Sequence, residues 1–444
     1  MKTPIFDFVQ NYLKESPLRL HMPGHKGLGS LGIEQLDITE IEGADVLYHE
    51  NGILKESQEN ASLLFGSQKT LYSTEGATLC IRAMLAMVRY YAEESGKKPT
   101  VCACRNAHKA FVTGCALMDL DPIWIPSTSS LLSAKLTADD LLDFLNSQES
   151  IPTALYLTSP DYLGNIPDIK AIAGICHEKG ILLLVDNAHG AYLHFLPDLC
   201  HPLDLGADLV CDSAHKTLPV LTGGAYLHLS KSAPKILTKY ASSAMAMFSS
   251  TSPSYLILQS LDLCNAYLNN QYSKKLYEFC SAVVDFKKEL KKHGFFLIGD
   301  EPLKITILTK PYGYTGEDFA ELLKRSHIYV EFSDPDYVVF MLTPEQGNNV
   351  LKHIADILKK IPKSDPILIF PPKIPAYTKI LPPREALLSA AVSLPLKECE
   401  GKILSQPSVT CPPAIPIAIC GEKITKEHLM LFEYYGINQL TVKK

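Results

Sequence analysis

The chain lacks the features that would place it in a membrane or on nucleic acid. No run of apolar residues among its 444 positions is long enough to span a bilayer. Lysine and arginine (42) are fewer than aspartate and glutamate (48), and no basic tract is present. We therefore expect neither nucleic acid nor anionic lipid as a partner. Residues 1–20 also lack the apolar core of a signal peptide, so we expect a cytoplasmic protein.

Ligand spacings typical of a structural metal site are also missing. The twelve cysteines are scattered. Cys102 and Cys104 alternate along a predicted strand, but no second pair with zinc-ligand spacing follows them. His21 and His25 have the spacing of a helical metal pair, yet a Pro-Gly step between them disfavours a regular helix. We predict neither a metal centre nor a disulfide framework.

What the chain does contain is an alternation of short apolar runs and amphipathic segments, which indicates a parallel sheet covered by helices. We predict an α/β fold whose large domain holds a mostly parallel sheet, followed by a smaller α/β domain and a C-terminal domain. A proline-rich passage at 361–383 is the predicted linker. The predicted parts are an N-terminal segment (1–35), the large domain (36–265), the small domain (266–365) and the C-terminal domain (366–444).

The same patterns predict individual elements. The predicted helices are 76–91, 107–118, 136–145, 168–179, 272–294, 317–324 and 350–361. The predicted strands are 100–104, 123–125, 153–158, 181–185, 207–211, 224–229, 304–308, 328–331 and 337–342. The run 181–185 is apolar at every position, as expected for a strand that is buried on both faces.

Asp186 directly follows that buried strand. Open α/β sheets bind ligands at the carboxyl ends of their strands, and a buried carboxylate without a partner is costly. Opposite a protonated pyridine nitrogen it would form an ion pair and keep the ring cationic. A helix-capping or turn aspartate is the simpler interpretation of the residue taken alone.

A lysine follows the next predicted strand, within 212–217 (DSAHKT). Lysine becomes a nucleophile when desolvation or a neighbouring cation lowers its pKa. Ser213 and His215 lie on the same side of an extended stretch and would bind a phosphate between them, while Lys216 reaches the carbonyl carbon of an aldehyde. Gly223 and Gly224, just downstream, allow the close backbone approach that a crowded cofactor pocket requires.

A third segment, 73–78 (STEGAT), leads into the first helix of the predicted large domain. Its small residues leave helix N–H groups open to a phosphate. An N-cap by Ser73 or Thr74 is the alternative, and both interpretations can hold together. His108 follows strand 100–104 and would stack on a pyridine ring, although by itself it is more typical of a surface or capping histidine. Lysine, carboxylate and phosphate turn together predict a site for pyridoxal 5′-phosphate (PLP).

With these motifs the chain resembles the Orn/Lys/Arg decarboxylase family, fold type I PLP enzymes that decarboxylate basic amino acids. The motifs are LHMPGHKG (20–27), RNAHK (105–109), DNAHGA (186–191), SAHKTLP (213–219), TSPSY (251–255), PPAIP (412–416) and GE (421–422). They follow the family's order over nearly the whole chain and look most like the short bacterial members without an N-terminal wing domain. The resemblance implies the PLP-dependent transferase-like fold of aspartate aminotransferase.

The resemblance also implies catalytic roles. Lys216 would carry PLP as a Schiff base, Asp186 would pair with the pyridine nitrogen, and His108 would stack on the ring. His189 would lie beside the ring and help to position the reacting group. Ala188 would pack under the ring.

Other matching positions would bind the cofactor's phosphate or complete the site. The implied phosphate ligands are Gly76, Ala77, Thr78, Ser213 and His215. Thr251 and Ser252 belong to a segment that would reach the cofactor of a neighbouring subunit. The resemblance therefore implies a homodimer with shared active sites.

Several positions depart from the family pattern. Ala77 replaces a hydroxyl residue of the phosphate turn, and Glu75 adds a negative charge that would weaken phosphate binding if it pointed inward. Asp161 is unusual in the turn at 158–164. The terminal Tyr-Pro-Pro-Gly of the family is Cys-Pro-Pro-Ala at 411–414. These departures bear on the substrate more than on the cofactor.

The expected activity is PLP-dependent decarboxylation of arginine, lysine or ornithine to a di- or polyamine precursor and CO2. A cationic side chain needs an anionic pocket, for which the candidates are Glu422, Glu331 and Asp161. Two other interpretations stay open. One is a different fold type I activity, an aminotransferase or a lyase. The other is a catalytically inactive homologue that acts as a binding protein.

Overall fold

The computed structural model describes residues 1–126, 130–198, 200–407 and 414–444. Residues 411–413 lie outside these ranges. They include three of the four residues of the segment 411–414, which departs from the family pattern, and the first two residues of the motif at 412–416. None of the helices in them has the length and apolarity that a membrane crossing requires. The helices are α1 (Pro4–Lys14), α2 (Gly52–Leu64), α3 (Gly76–Glu94), α4 (Lys109–Leu117), α5 (Ala138–Asn146), α6 (Ile169–Glu178), α7 (Ala214–Thr217), α8 (Lys235–Ala246), α9 (Tyr255–Leu268), α10 (Tyr272–Lys292), α11 (Gly316–Lys324), α12 (Asn349–Leu358), α13 (Pro383–Leu387) and α14 (Lys426–Tyr434).

The strands alternate with these helices, which confirms the predicted α/β class. They are β1 (Lys69–Ser73), β2 (Val101–Cys104), β3 (Ile123–Ile125), β4 (Ala154–Thr158), β5 (Leu182–Asp186), β6 (Leu209–Asp212), β7 (Ala225–Leu229), β8 (Phe296–Ile298), β9 (Lys304–Leu308), β10 (Phe332–Ser333), β11 (Tyr337–Met341), β12 (Ala391–Pro395) and β13 (Gln439–Lys443). Among the described residues, the main sheet contains β1 to β7 and is mostly parallel.

One compact unit comprises Met1–Pro99, Ile151–Tyr156 and Ile169–Lys275. Within it β5 and β6 run parallel, whereas β7 runs antiparallel to both β6 and β1. Every residue of β5 is buried, as the apolar sequence predicts. Asp186 stands opposite Cys211 in the parallel pair, so β5 and β6 end at the same edge. The turns that carry Asp186 and Lys216 therefore start side by side.

The other compact unit comprises Thr100–Ser150, Leu157–Asp168 and Leu276–Lys444. It holds the parallel pair of β2 and β3, an antiparallel sheet in the order β10-β11-β9-β8, and the antiparallel pair of β12 and β13. Leu404, Ile424, Phe432 and Val442 belong to an apolar core of their own near the C-terminus. Both compact units are discontinuous in sequence, and the four-part division of the chain stays a prediction.

The element predictions differ from the structure mainly at their ends. Strand 304–308 has the predicted bounds, and the helix predicted at 76–91 continues to Glu94. The strand predicted at 328–331 is wrong. The Ile328 N–H still bonds to the carbonyl of Leu323 in α11. The first backbone bond to β11 comes from the Glu331 N–H, and the strand pairing itself covers only Phe332 and Ser333. The apolar pattern does not show where a chain leaving a helix first meets its neighbouring strand.

Candidate active site

Lys216 lies in the short helix α7, one turn beyond the end of β6. Its Nζ atom is 3.0 Å from Nε2 of His189, within hydrogen-bond distance. His189 belongs to the turn after β5 and is buried. The parallel pairing of β5 and β6 thus brings together two residues that are 27 positions apart in sequence. This contact places an amine and an imidazole side by side at the carboxyl edge of the sheet.

Asp186 is the last residue of β5 and is 2% exposed. Its carboxylate accepts hydrogen bonds from the Tyr156 hydroxyl at 2.9 Å and from the Ala188 N–H at 3.2 Å. The Cys211 thiol also donates to it, with sulfur and oxygen 3.6 Å apart. Burial raises the pKa of Cys211 well above its ordinary value, so the sulfur keeps the proton that it donates. These donors compensate a buried carboxylate and fix its orientation.

The predicted phosphate turn leads directly into helix α3. Gly76 has a φ of +71°, and its N–H donates to the carbonyl of Gly223 at 2.7 Å. The N-cap residue, Glu75, makes no side-chain capping hydrogen bond. Ser73 Oγ instead accepts the N–H of Glu75 at 3.1 Å, so Ser73 stabilises the turn rather than the first helical N–H groups. Binding of a phosphate at the N-terminus of α3, by Ala77 and Thr78, stays a prediction.

His215 and Ser213 lie next to this turn through the Gly223-Gly224 step. The His215 N–H donates to the carbonyl of Gly224 at 3.2 Å, and His215 Nδ1 is 3.3 Å from Ser213 Oγ. Gly223 has a φ of +98°, and a Cβ there would approach the Thr74 carbonyl oxygen to 2.8 Å. Only glycine fits this close approach, as the sequence predicts.

The carboxylate of Glu75 accepts a hydrogen bond from a neighbouring loop. Its Oε1 accepts the N–H of Ser250 at 2.6 Å. The same exposed loop carries Thr251 and Ser252, the residues that the resemblance assigns to a neighbouring subunit's site. The Glu75 carboxylate therefore binds the backbone of this loop.

His108 and the acidic candidates belong to the other compact unit and are described there. His108 is the N-cap of α4, and its Nδ1 accepts the N–H of Ala110 at 3.1 Å. The capping interpretation is therefore confirmed. This bond lies at the ring's edge and leaves the stacking role of His108 a prediction.

The structure gives Glu422 an internal partner. Its two carboxylate oxygens accept hydrogen bonds from Arg105 at 2.6 and 3.0 Å, and the Ile419 N–H adds a third at 2.9 Å. Arg105 in turn lies 4.6 Å from the ring centroid of Tyr377. A bidentate pair of this kind, with Glu422 2% exposed, is a structural contact. A substrate role for Glu422 stays a prediction that this pairing does not favour.

The other two acidic candidates differ from each other. Asp161 is buried and accepts the N–H groups of Leu163 and Asn165 at 3.0 and 2.9 Å, so it stabilises its own turn. Burial raises the pKa of Asp161 above its ordinary value. Glu331 is exposed and accepts only a long bond, 3.3 Å, from the Tyr162 hydroxyl among the contacts of the described residues. Of the three, Glu331 is the carboxylate that a cationic group reaches most easily.

Four residues that support the site are not predicted from the sequence. Tyr156 and Cys211 hold Asp186, while Asn187 and Asp212 form a buried hydrogen bond of 2.6 Å just behind it. All four lie in or directly after predicted strands. A polar side chain in an apolar strand is a signal for such a role, but its partner depends on strand register, which the sequence pattern does not supply.

The residues present fit PLP. An amine, a buried carboxylate and a helix N-terminus correspond to the aldehyde, the pyridine nitrogen and the phosphate of that cofactor. Two buried polar atoms near them, Asn187 Oδ1 and Thr217 Oγ1, have no hydrogen-bond partner among the described residues. Buried polar atoms rarely stay unpaired. Their positions next to Asp186 and Lys216 fit a polar ligand at this edge of the sheet.

Comparisons with known proteins show which family the chain is similar to. The family model "Orn/Lys/Arg decarboxylase, major domain" matches residues 3–298. The chain is 30% identical to the uncharacterized protein YaaO of Bacillus subtilis over 96% of this chain and 93% of that protein. It is 27% identical to the arginine decarboxylase of the same organism, over 96% of this chain and 92% of that protein.

A solved structure shows the same fold. The lysine decarboxylase LdcF of Francisella novicida is similar with a TM-score of 0.81 and 18% identity, over 100% of this chain and 81% of that one. This likeness confirms the predicted fold type I architecture. With the family model covering most of the chain and a site that fits the cofactor, the chain belongs to the Orn/Lys/Arg decarboxylase family of PLP-dependent enzymes.

Proposed function

We propose that the chain decarboxylates a basic amino acid, with arginine as the first substrate to test, and releases CO2 and an amine that serves as a polyamine precursor. The observation that carries the proposal is the 3.0 Å contact between Lys216 Nζ and His189 Nε2 at the sheet edge where Asp186 ends β5. Arginine is chosen because the Bacillus relative that matches along nearly its whole length is named an arginine decarboxylase.

The proposed mechanism assigns separate tasks to the side chains. PLP, when bound, supplies an electron sink for the bonding pair that CO2 leaves behind. Asp186 holds a proton at the pyridine nitrogen, and the donors around its carboxylate keep it oriented. Lys216 would hold the aldehyde end of PLP through its amine. His189, at hydrogen-bond distance, accepts a proton from Lys216 Nζ and can return it at the substrate's Cα.

Phosphate binding is proposed to come from backbone and hydroxyl groups. Ala77 offers only its N–H, so Thr78, Ser213 and His215 would supply the side-chain contacts. The helix N-terminus of α3 adds its partial positive charge. The loss of one hydroxyl at Ala77 then weakens cofactor binding without abolishing it.

The test is an assay of CO2 release from arginine, lysine and ornithine with added PLP and no keto acid. We expect CO2 from one of the three, arginine first, and none from the Lys216→Ala variant. Activity that requires a keto acid would establish an aminotransferase instead. Protein that binds no PLP would favour the interpretation as an inactive homologue. His189→Gln is expected to lower kcat more than cofactor affinity, since His189 acts on protons.

The active form is proposed to be a homodimer with shared sites. Leu18, Leu20, Leu28 and Leu31 are 77–86% exposed in the single chain. This is a concentration of large apolar side chains that a second copy would cover. Thr251 and Ser252 lie on an exposed loop, as residues that reach a neighbouring subunit should. We also propose that the enzyme works in the cytoplasm, where the eleven free cysteines of the described residues would stay reduced.

A further inference from the structure

Asp212, the last residue of β6, is the centre of a fully buried polar cluster. Its Oδ2 lies 3.0 Å from Nε2 of His201 and 3.2 Å from Nε2 of His228. The side chains of all three residues are 0% exposed. Such a cluster is expensive to bury unless each group is satisfied. Its position, one residue beyond the partner of Asp186 in the strand pairing, connects it to the candidate active site.

The hydrogen bonds show that the cluster is not arranged for a metal ion. His201 Nδ1 accepts the N–H of Leu203 at 3.2 Å, so the proton of a neutral His201 is on Nε2 and points at Asp212. His228 Nδ1 lies 2.8 Å from Thr70 Oγ1, and its Nε2 likewise faces the carboxylate. A metal at His201 would need the lone pair of Nε2, whereas in the neutral ring that nitrogen carries the proton.

Asp212 is therefore an anion held by hydrogen bonds to two buried histidines. Burial alone would raise its pKa, but the hydrogen bonds and charges of His201 and His228 outweigh burial and hold the pKa well below its ordinary value. Burial lowers the pKa of His228. The cluster thus keeps one fixed negative charge and one carboxylate oxygen, Oδ1, directed at a further donor.

That donor is Asn187, the residue between Asp186 and Ala188. Its Nδ2 donates to Asp212 Oδ1 at 2.6 Å, and its backbone N–H donates to the carbonyl of Cys211 at 2.9 Å. Asn187 is 0% exposed. Two bonds from the end of β6 therefore fix the residue that follows Asp186, and the Cys211 thiol bonds to the Asp186 carboxylate itself.

We propose that Asp212 is a positioning residue for the cofactor: through Asn187 it fixes the turn that carries Asp186 and sets the geometry with which that carboxylate meets the pyridine nitrogen. This inference rests on the proposed function of the site. A carboxylate that pairs with a cationic ligand must be held within about 0.5 Å of its productive position. Neighbouring residues that bond to its segment hold it there. Asp212 is rigid because it has three buried donors of its own.

The test compares Asp212→Asn with Asp208→Asn. Asp208 precedes the same strand at its other end, is 3% exposed, accepts the Leu183 N–H at 2.8 Å and lies 3.3 Å from His177 Nε2. Both variants lose one buried carboxylate paired with histidine, so both lose stability. Only Asp212→Asn is expected to weaken PLP binding, by about tenfold or more, as second-sphere changes commonly do. The pH midpoint of the bound cofactor's absorbance change should shift in that variant alone.

The dissociation constant of PLP, measured by fluorescence titration of each purified apo protein, decides the outcome. Wild-type affinity in a folded Asp212→Asn variant would overturn the inference. If that variant does not fold, Asn187→Ala keeps Asp212 and its histidines and should show the same loss, and wild-type affinity there would overturn it equally. If the wild-type chain binds no PLP, the proposed function itself is wrong. Failure of the proposed function is therefore distinguishable from failure of the inference about Asp212.

Discussion

The hydrogen bonds that orient the Asp186 carboxylate come from three separate segments. Tyr156 from β4, Cys211 from β6 and the backbone of Ala188 each donate to its carboxylate. The sequence predicts Asp186 because a carboxylate directly after an apolar strand is conspicuous. It predicts Lys216 because the segment 212–217 follows the next strand and matches a family motif. It does not predict Tyr156 or Cys211, because their contacts arise from strand pairing and from which side of the sheet a side chain faces.

The Tyr156→Phe variant tests this support directly. It removes the hydroxyl that donates to Asp186 at 2.9 Å and leaves the ring in the buried strand. A hydrogen bond to a charged group contributes about 1.5–3 kcal/mol, so PLP affinity should fall by roughly tenfold or more. Equilibrium dialysis against PLP measures the change. Tyr192→Phe, a buried tyrosine in the same compact unit, is the control. Equal affinities in the two variants would contradict the assigned role.

At the scale of elements, the sequence predicts eight of the thirteen strands and seven of the fourteen helices of the described residues, those with strong apolar periodicity. Their ends are set by contacts that the periodicity does not contain. Glu422 shows that side-chain partners cannot be predicted from the sequence either. It is a candidate for substrate binding in the sequence, but in the structure its carboxylate is paired with Arg105, 317 positions away. The pair connects the end of β2 with the C-terminal segment.

The Glu422→Gln variant separates a structural from a substrate role. Breaking one partner of a buried ion pair costs about 3–5 kcal/mol, so the free energy of unfolding should fall by that amount. Asp121→Asn is the matched control, because it breaks the exposed pair with Lys379 and should cost less than about 1 kcal/mol. Urea unfolding measures both. Unchanged stability with a raised KM would instead assign Glu422 to the substrate.

Helix α1 is attached through a carboxylate of α9. Asp262 Oδ2 accepts the N–H groups of Ile5 and Phe6 at 2.9 and 3.0 Å. Burial raises the pKa of Asp262 from its ordinary value of 3.8 to about 6. The folded chain therefore binds this proton more tightly than the unfolded chain does. The contribution to stability is fully present below the ordinary pKa and is lost as pH rises through about 6.

This linkage predicts a pH-dependent difference between the wild type and Asp262→Asn. The free energy of unfolding of the wild type, relative to the variant, should decrease as pH rises from the ordinary pKa of 3.8 through about 6. Urea unfolding of both proteins at several pH values measures that difference. A difference that is constant over this interval, or that increases with pH, would contradict the raised pKa.

For the whole molecule, the fold class and the family could be predicted from the sequence, whereas assembly is inferred from exposed apolar residues and the loop at 249–252. The compact units could not be predicted, because they are discontinuous and depend on contacts between distant segments. The sequence shows which residues are apolar and therefore favour burial. It does not show whether the same chain or a second copy covers them.

Shared active sites predict complementation between inactive variants. Lys216→Ala lacks the amine, and a Thr251→Ala/Ser252→Ala variant lacks the residues proposed to act across the dimer. Unfolding and refolding the two together should form heterodimers with one intact site, which restores about a quarter of wild-type activity for random pairing in a twofold dimer. Activity equal to the average of the two separate variants would mean that each site is complete within one chain.

Lys216 is proposed to carry the cofactor, and a chemical label tests this most directly. Reduction of the PLP-loaded protein with borohydride, followed by mass spectrometry of its peptides, locates the modified residue. We expect a phosphopyridoxyl group on the peptide that contains Lys216 and no such group in the Lys216→Ala variant. Modification of a different lysine, or of none in wild-type protein saturated with PLP, would contradict it.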